Sequence, residues 1–170
     1  KSETSRSHIP LSVILARYDN PPCQCIRDEG GPHLAGLLLC CPMLDDRMTT
    51  VSSHQFGNDL LWTRATNEFA WKCVLGDRAG TDAVSSHEAP ARATHLGGLP
   101  PTLVDVGSAD LFRDENTAFA SAIWAAGGDA ELHVWAGGFH GSEQLAPDAA
   151  VSVSARQARA DWLQRVVSRI

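Results

Sequence analysis

The chain of 170 residues carries a formal charge of −6 at pH 7, with 44% apolar and 20% charged residues. This length and composition suit one folded globular domain rather than a disordered or fibrous protein. The acidic balance, without a dense cluster of lysine and arginine, argues against nucleic acid as a partner. The longest apolar run, residues 34–42, is far shorter than the ~20 residues of a membrane-spanning helix, so we expect no membrane span.

The first 29 residues differ from those that follow in composition and in the regularity of their apolar pattern. Residues 1–10 are polar, and the segment YDNPP at 18–22 is a turn signal. We therefore expect residues 1–29 to be a divergent or weakly ordered segment and residues 30–170 to hold the folded part. No signal peptide opens the chain, so a cytoplasmic location is expected. Because the chain begins at Lys1 instead of Met, we also expect a further segment upstream.

The first regular pattern is the continuous apolar run at residues 34–42, which ends in Pro42. Such a run is typical of a strand that is buried on both faces of a parallel sheet. Helical spacing of apolar residues follows at 58–75. Residues 76–101 are rich in Gly, Pro, Ser and His, which predicts a long surface loop with one short helical turn.

Two further strand and helix pairs complete the chain. Residues 102–107 predict a strand, and residues 111–126 predict a helix that ends before two glycines. Residues 130–135 predict another strand, and residues 148–170 a long amphipathic terminal helix. This alternation predicts an α/β fold with a mostly parallel sheet flanked by helices.

Two candidate catalytic residues follow these strands. Asp110 comes after the strand at 102–107, and His140 comes after the strand at 130–135 in a glycine-rich turn. In an open parallel sheet, reactive residues lie beyond the carboxyl ends of the strands. A carboxylate there can fix the tautomer of an imidazole that acts as general base. Asp110 is equally suited to be a turn or helix-capping residue, and His140 to be an ordinary loop residue.

The cysteines do not predict a disulfide framework. Their odd number, in a chain of this length, favours reduced thiols in a cytoplasmic protein. The alternative is a metal site at Cys23 and Cys25 with His33, but one such pair lacks the second ligand pair of structural zinc. We therefore expect neither a metal nor a cofactor. The five cysteines are Cys23, Cys25, Cys40, Cys41 and Cys73.

Other polar and aromatic residues have weaker claims to the site. Residues 45–47, with the sequence DDR, either line the site or form a solvated ion-pair cluster. Trp62, Phe69 and Trp71 either line an acyl pocket or belong to the core. Asp114 and Glu115 are expected to stabilise the amino terminus of the helix at 111–126. Four histidines lack the mutual spacing of a metal site: His54, His87, His95 and His133.

Four segments together carry a resemblance to a known family. From about Gly30 to Val167, the chain resembles the C-terminal half of an α/β-hydrolase of the bacterial hormone-sensitive-lipase-like esterase family. The resemblance implies a carboxylic ester hydrolase of the serine type, with Asp110 as acid, His140 as general base and a small acyl ester as substrate. The segments are LAGLLLCCPMLDDR at 34–47, WTRATNEFAW at 62–71, LPPTLVDVGSADLFRDE at 99–115 and ELHVWAGGFHG at 131–141.

The chain departs from the family pattern at the nucleophile. The family places its serine in a G-x-S-x-G elbow and its oxyanion hole in a His-Gly-Gly segment, and the sequence has neither. Ser12 lies near the expected position, but β-branched neighbours replace the glycines that the sharp turn requires. We therefore keep two hypotheses. Either the chain works as a hydrolase when an N-terminal part completes it, or it is a non-catalytic fragment or pseudoenzyme that at most binds a partner.

The predicted half-sheet also has a consequence for association. If the strand at 34–42 is the first of this chain, one of its long apolar edges has no neighbour. Such edges promote pairing with other chains. We therefore expect a homo-oligomer or poor solubility of the isolated chain.

Overall fold

The computed structural model describes residues 12–16, 23–56 and 61–169. In these residues four strands form one parallel sheet in the order β1-β2-β3-β4. Their bounds are β1 at Ser12–Ala16, β2 at Leu34–Cys40, β3 at Thr102–Gly107 and β4 at Ala130–Trp135. Because neighbouring strands run in the same direction, their carboxyl ends meet at one edge of the sheet.

Six α-helices and two short 3-10 turns connect and cover the strands in this part of the chain. Thr63 begins the third helix, because its side chain accepts the backbone N–H of Thr66. The helices are α1 at Cys23–Asp28, α2 at Val51–Gln55, α3 at Arg64–Leu75, α4 at Arg113–Ala125, α5 at Ser142–Leu145 and α6 at Ala150–Val167. The 3-10 turns are Gly76–Arg78 and Pro90–Arg92.

Side chains of β2 alternate between two cores on opposite faces of the sheet. Leu37 and Leu39 pack in one cluster with Phe119 and Ile123 of α4. Leu38 packs on the other face with two buried residues of α6. Both faces are therefore covered by helices, which explains why the strand is apolar without interruption. The α6 residues are Trp162 and Val166.

Gly36 permits the close approach of α6 to the sheet. A β-carbon at Gly36 would lie 2.8 Å from the ring of Trp162 and 3.1 Å from a methyl group of Val166. The absence of a side chain at this point of β2 therefore leaves room for the indole.

The sheet confirms the predicted α/β fold and corrects the position of its first strand. The run at 34–42 is the second strand and ends at Cys40, because β1 precedes it and pairs with it in parallel. The prediction that this strand has an unpaired edge is therefore wrong, because β1 pairs with it on that side. The expected homo-oligomer stays a prediction, with β1 as the edge strand of the described sheet.

Other predicted elements hold with shifted ends. The strands at 102–107 and 130–135 match β3 and β4, and the terminal helix begins at Ala150 rather than 148. The helix predicted at 58–75 begins at Arg64, and residues 57–60 lie outside the described residues. The long loop at 76–101 is confirmed, with two helical turns instead of one.

The expected weak order of residues 1–29 stays a prediction. Residues 1–11 and 17–22 lie outside the described residues, and β1 and α1 are the elements described within this segment. Among the described helices, none has both the length and the apolar character to cross a lipid bilayer.

Candidate active site

The loops that follow β3 and β4 are bound to each other by their backbones. The N–H of Ser108 donates to Trp135 O at 2.8 Å, and the N–H of Ala109 donates to Gly138 O at 2.9 Å. The hydroxyl of Ser108 also accepts the N–H of Gly137 at 2.9 Å. Three hydrogen bonds therefore fix the loop that carries Asp110 against the loop that carries His140.

Asp110 is buried, and both its backbone N–H and its carboxylate have polar partners. Its N–H donates to Gly107 O at 3.2 Å, and its Oδ1 accepts the N–H of Phe112 at 3.0 Å. The second oxygen, Oδ2, lies 3.2 Å from Nδ1 of His140. The two candidate residues from the sequence thus meet in the structure, with the carboxylate positioned to orient the ring.

His140 lies between two aromatic rings. Its ring centroid is 5.5 Å from that of Trp62 and 5.3 Å from that of Phe112, and the residue is 6% exposed. The next residue, Gly141, has a φ of 75° and starts α5. A turn with positive φ suits glycine, so the sequence after the histidine permits this abrupt change of direction.

Cys41 joins this pair, which the sequence did not predict. It directly follows β2, has a φ of 48°, and its N–H donates to Asp105 O at 2.8 Å. Its sulfur, a ring nitrogen of His140 and a carboxylate oxygen of Asp110 all lie within 4.8 Å of one another. Burial, followed by the negative charges of Asp110 and Asp105, raises the pKa of the Cys41 thiol. This environment disfavours the thiolate that a cysteine nucleophile needs.

A buried ion pair lies beside the site. Asp105 on β3 accepts Arg159 Nε of α6 at 2.6 Å and Trp135 Nε1 at 3.2 Å through the same oxygen. Arg159 also binds Glu143 of α5. Because α5 directly follows His140, this guanidinium connects the histidine loop to the sheet and to the last helix.

The two acidic residues at the start of α4 bind other segments. Asp114 Oδ2 accepts the N–H of Ser52 at 2.8 Å and so attaches α2 to α4. Glu115 is 3% exposed, and its Oε1 accepts the N–H groups of Leu44 and Asp45 at 2.7 and 3.3 Å. Burial raises the pKa of Glu115 well above its usual value. The expectation that both residues only stabilise the helix terminus is therefore incomplete. Glu115 binds the segment that follows β2, and Asp114 binds α2.

The cluster at residues 45–47 forms ion pairs, as one of its two interpretations predicted. Asp45 accepts both Nε and a terminal nitrogen of Arg47, at 2.7 and 2.9 Å. Asp46 accepts Arg92 in the same two-point manner, at 2.6 and 2.9 Å, and the N–H of Gly80 at 2.7 Å. Asp46 is 5% exposed, so this pair is buried rather than solvated. The contacts of Asp46 attach the long loop at 76–101 to the segment that follows β2.

The three aromatic residues considered for an acyl pocket have different positions. The ring of Trp62 lies beside that of His140 at an interplanar angle of 43°. Trp71 is 1% exposed and belongs to the core, whereas Phe69 is 69% exposed on the surface of α3. Helical spacing did not distinguish the three, because Trp62 precedes α3, and only the tertiary fold decides which side of α3 meets the sheet.

The remaining histidines do not gather into a metal site within the described residues. His87 pairs with Asp28 at 2.8 Å, and His133 pairs with Glu131 at 2.9 Å. The side chains of Cys23 and Cys25 lie outside the described residues. In the described part of the chain, one group of three metal-binding side chains occurs, and it is Cys41, Asp110 and His140.

Ser12 lies at the wrong end of its strand for a nucleophile. It begins β1 and pairs with Leu34 at the start of β2, whereas the candidate acid and base follow the carboxyl ends of β3 and β4. The length of β1 alone, at ~3.3 Å per residue, places Ser12 on the order of 13 Å from that edge. The structure thus agrees with the steric argument against Ser12.

Comparison with known proteins decides the family. A family model described as the α/β-hydrolase fold matches residues 22–144, which is most of the chain. The chain belongs to this family. The relatives described below agree with the hormone-sensitive-lipase-like branch of the α/β-hydrolases that the sequence motifs predicted.

One curated relative and two solved structures illustrate the relationship. The carboxylic ester hydrolase LipN of Mycobacterium tuberculosis is 33% identical over 123 residues, which are 70% of this chain and 32% of LipN. A bacterial heroin esterase is 36% identical with a TM-score of 0.78, over 88% of this chain and 49% of that one. Esterase LipW from Mycobacterium marinum is 26% identical with a TM-score of 0.80, over 88% and 48%. The α/β-hydrolase chain thus spans a third to a half of the length of these relatives.

Proposed function

We propose that this chain supplies the acid and the general base of a carboxylic ester hydrolase of the serine type. Asp110 is the acid and His140 the base. The observation that carries the proposal is the contact of 3.2 Å between Asp110 Oδ2 and His140 Nδ1, at the sheet edge where the family performs its chemistry. The esterase relatives support a small acyl ester as the substrate.

The reaction divides into acylation and deacylation. A serine hydroxyl attacks the acyl carbonyl while the histidine accepts its proton, and the histidine then protonates the departing alcohol. In deacylation the same ring removes a proton from water, which attacks the acyl-enzyme and releases the acid. Asp110 stabilises the imidazolium that forms in each step, because its carboxylate lies against Nδ1.

The nucleophile and the oxyanion hole are the parts that this sequence does not identify. No G-x-S-x-G or His-Gly-Gly segment occurs in the 170 residues. The proposal therefore assigns the acid and base to this chain and the nucleophile to a segment that carries such an elbow. The proposed reaction uses a serine nucleophile, His140 as general base and Asp110 as the carboxylate that orients it, and it assigns no step to a metal or a cofactor.

The test restores an elbow. A chimera places a G-x-S-x-G elbow and a His-Gly-Gly segment of an esterase relative upstream of Gly30, and its hydrolysis of p-nitrophenyl acetate is measured. We expect His140→Ala and Asp110→Asn to lower kcat by about 10³- to 10⁴-fold. His133→Ala on β4 is the matched control and should retain activity. An inactive chimera, or one that His140→Ala leaves unchanged, contradicts the proposal.

A non-catalytic fragment or pseudoenzyme that binds a partner is the second candidate for the chain by itself. The absence of an elbow and a His-Gly-Gly segment favours it. A fluorophosphonate probe, which labels activated serines, distinguishes the two for the 170-residue chain. Absence of labelling agrees with the second candidate, whereas stoichiometric labelling that disappears in His140→Ala excludes it.

A further inference from the structure

We propose that Cys41, Asp110 and His140 form a binding site for a thiophilic divalent cation, with Zn²⁺ as the natural candidate. The three side chains come from the ends of three different strands, and their donor atoms lie within 4.8 Å of one another. Thiolate sulfur, imidazole nitrogen and carboxylate oxygen are the three ligand types that proteins use for Zn²⁺. The sequence analysis expected reduced thiols and no metal site, so it did not predict this cluster.

The spacing suits tetrahedral coordination. Ligands at ~2.0–2.1 Å from Zn²⁺ lie about 3.3 Å apart along a tetrahedral edge. The distance from His140 Nδ1 to Asp110 Oδ2 is 3.2 Å, so both atoms can bind one ion without a change in their separation. The sulfur of Cys41 lies within 4.8 Å of the other two ligand atoms, and a side-chain rotation can bring it to the ~3.6 Å that a tetrahedral sulfur–nitrogen edge requires.

The backbone around the ligands supports such a site. Asp110 keeps one oxygen on the N–H of Phe112, which leaves the other oxygen to face His140. The N–H of Cys41 is held by Asp105 O at 2.8 Å. Outer contacts of this kind orient the ligands of metal sites. The carboxylates of Asp110 and Asp105 also favour a cation, although Arg159 neutralises part of the charge of Asp105.

A narrow cleft borders two of the three ligands. Cys41 and His140 line it together with Gly141 and Ser142, and its volume is about 30 Å³. This is room for about one or two water molecules. A water molecule in this cleft would be the fourth ligand of the proposed cation. Binding would release the Cys41 thiol proton to solvent and move the Nδ1 proton of His140 to Nε2, so that the sulfur and Nδ1 both bond to the metal.

Occupation of this site would engage the acid and base of the proposed reaction. While Nδ1 of His140 and the carboxylate of Asp110 bind the cation, the ring cannot act as the general base. The cation would therefore act as a reversible inhibitor. This consequence depends on the proposed function, whereas the binding itself does not, so a binding measurement tests the site alone.

The binding test uses the reduced, metal-free chain and Cd²⁺, a spectroscopic substitute for Zn²⁺. Because Cys23 and Cys25 are a second possible thiol ligand pair, all variants carry Cys23→Ser and Cys25→Ser. We expect one equivalent of Cd²⁺ to produce a sulfur-to-cadmium charge-transfer band. Cys41→Ser should abolish the band, and Asp110→Asn should weaken binding about 10- to 100-fold. Cys73→Ser, on the surface of α3, is the matched control and should change neither. A band that survives Cys41→Ser overturns the proposal.

A second measurement needs no substitution and so does not depend on the folding of a variant. The chain is alkylated with iodoacetamide with and without Zn²⁺, and modification of each cysteine is followed by mass spectrometry. We expect Zn²⁺ to slow alkylation of Cys41 at least about tenfold and to leave that of Cys73 unchanged. Equal rates at Cys41 with and without Zn²⁺ would refute the site.

Discussion

Gly107 and Gly138 touch through their backbones. A β-carbon on Gly107 would lie 2.1 Å from the carbonyl oxygen of Gly138 and 2.3 Å from its carbonyl carbon. Gly107 ends β3, and Gly138 lies two residues before His140. The same Gly138 oxygen accepts the N–H of Ala109, so this contact sets how closely the loops that carry Asp110 and His140 approach each other.

Gly107→Ala is therefore expected to separate the two loops. Because the obstruction is backbone rather than a flexible side chain, the methyl group can be accommodated only by moving the loop that carries His140. We predict a loss of about 1–3 kcal/mol in the free energy of unfolding, measured by urea denaturation. Ala136→Ser, at an exposed position of the same loop, is the control and should cost less than about 0.5 kcal/mol. If Gly107→Ala were as stable as the control, the prediction would be wrong, because the Gly138 backbone would then move aside at little cost in free energy.

Arg159 is predicted to stabilise the fold through Asp105. Replacing it with leucine leaves the carboxylate of Asp105, which is 1% exposed, without its ionic partner. Removal of one member of a buried ion pair costs about 3–5 kcal/mol. Chemical denaturation of Arg159→Leu measures this loss.

Arg165 provides the matched comparison on the same helix. It pairs with Glu131, but half of its side chain is exposed. Exposed pairs contribute about 0–1 kcal/mol, so Arg165→Leu should have little effect. Equal losses for the two variants would contradict the structural role of the Asp105 pair.

Glu115 is predicted to make stability depend on pH. Its folded-state pKa lies well above the usual 4.5 because of burial, so the folded chain retains a proton that the unfolded chain releases. Between 4.5 and the raised pKa, this group therefore lowers the free energy of unfolding as pH rises.

Glu115→Gln should remove that contribution. The amide oxygen can still accept the N–H of Leu44, and it carries no charge. Unfolding measured from about pH 5 to about pH 8 should show the variant gaining stability relative to the parent as pH rises. Glu131→Gln, at a partly exposed ion-paired site, is the control and should leave the slope in place. Parallel curves for Glu115→Gln and the parent would contradict the prediction.

The elements that could be predicted are those with a strong local pattern. The strand at 102–107 and the helix beginning near 111 combine buried apolar residues with turn signals, and the structure contains both as β3 and α4. By contrast, α2 and α5 have five and four residues, too few for a helical period to be visible. The run of Val13, Ile14 and Leu15 is too short to predict a strand by itself, and β1 forms through parallel pairing with β2.

Part of the candidate site could likewise be predicted from the sequence, and part could not. The contact between Asp110 and His140 could be predicted, because each follows a parallel strand and the ends of those strands share one edge of the sheet. Cys41 could not, since its positive φ and its distance from His140 arise from how three separate strand ends meet. The tandem cysteines before Pro42 were the one visible sign in the sequence.

The most direct test of the account is the tautomer of the His140 ring, observed by ¹⁵N NMR of the chain. The central claim is that Asp110 orients His140 as a general base, and this requires the neutral ring to carry its proton on Nδ1, facing the carboxylate. We predict the Nδ1–H tautomer in the parent chain and a loss of that preference in Asp110→Asn. An Nε2–H tautomer in the parent, or a ring that does not respond to Asp110→Asn, would contradict the claim.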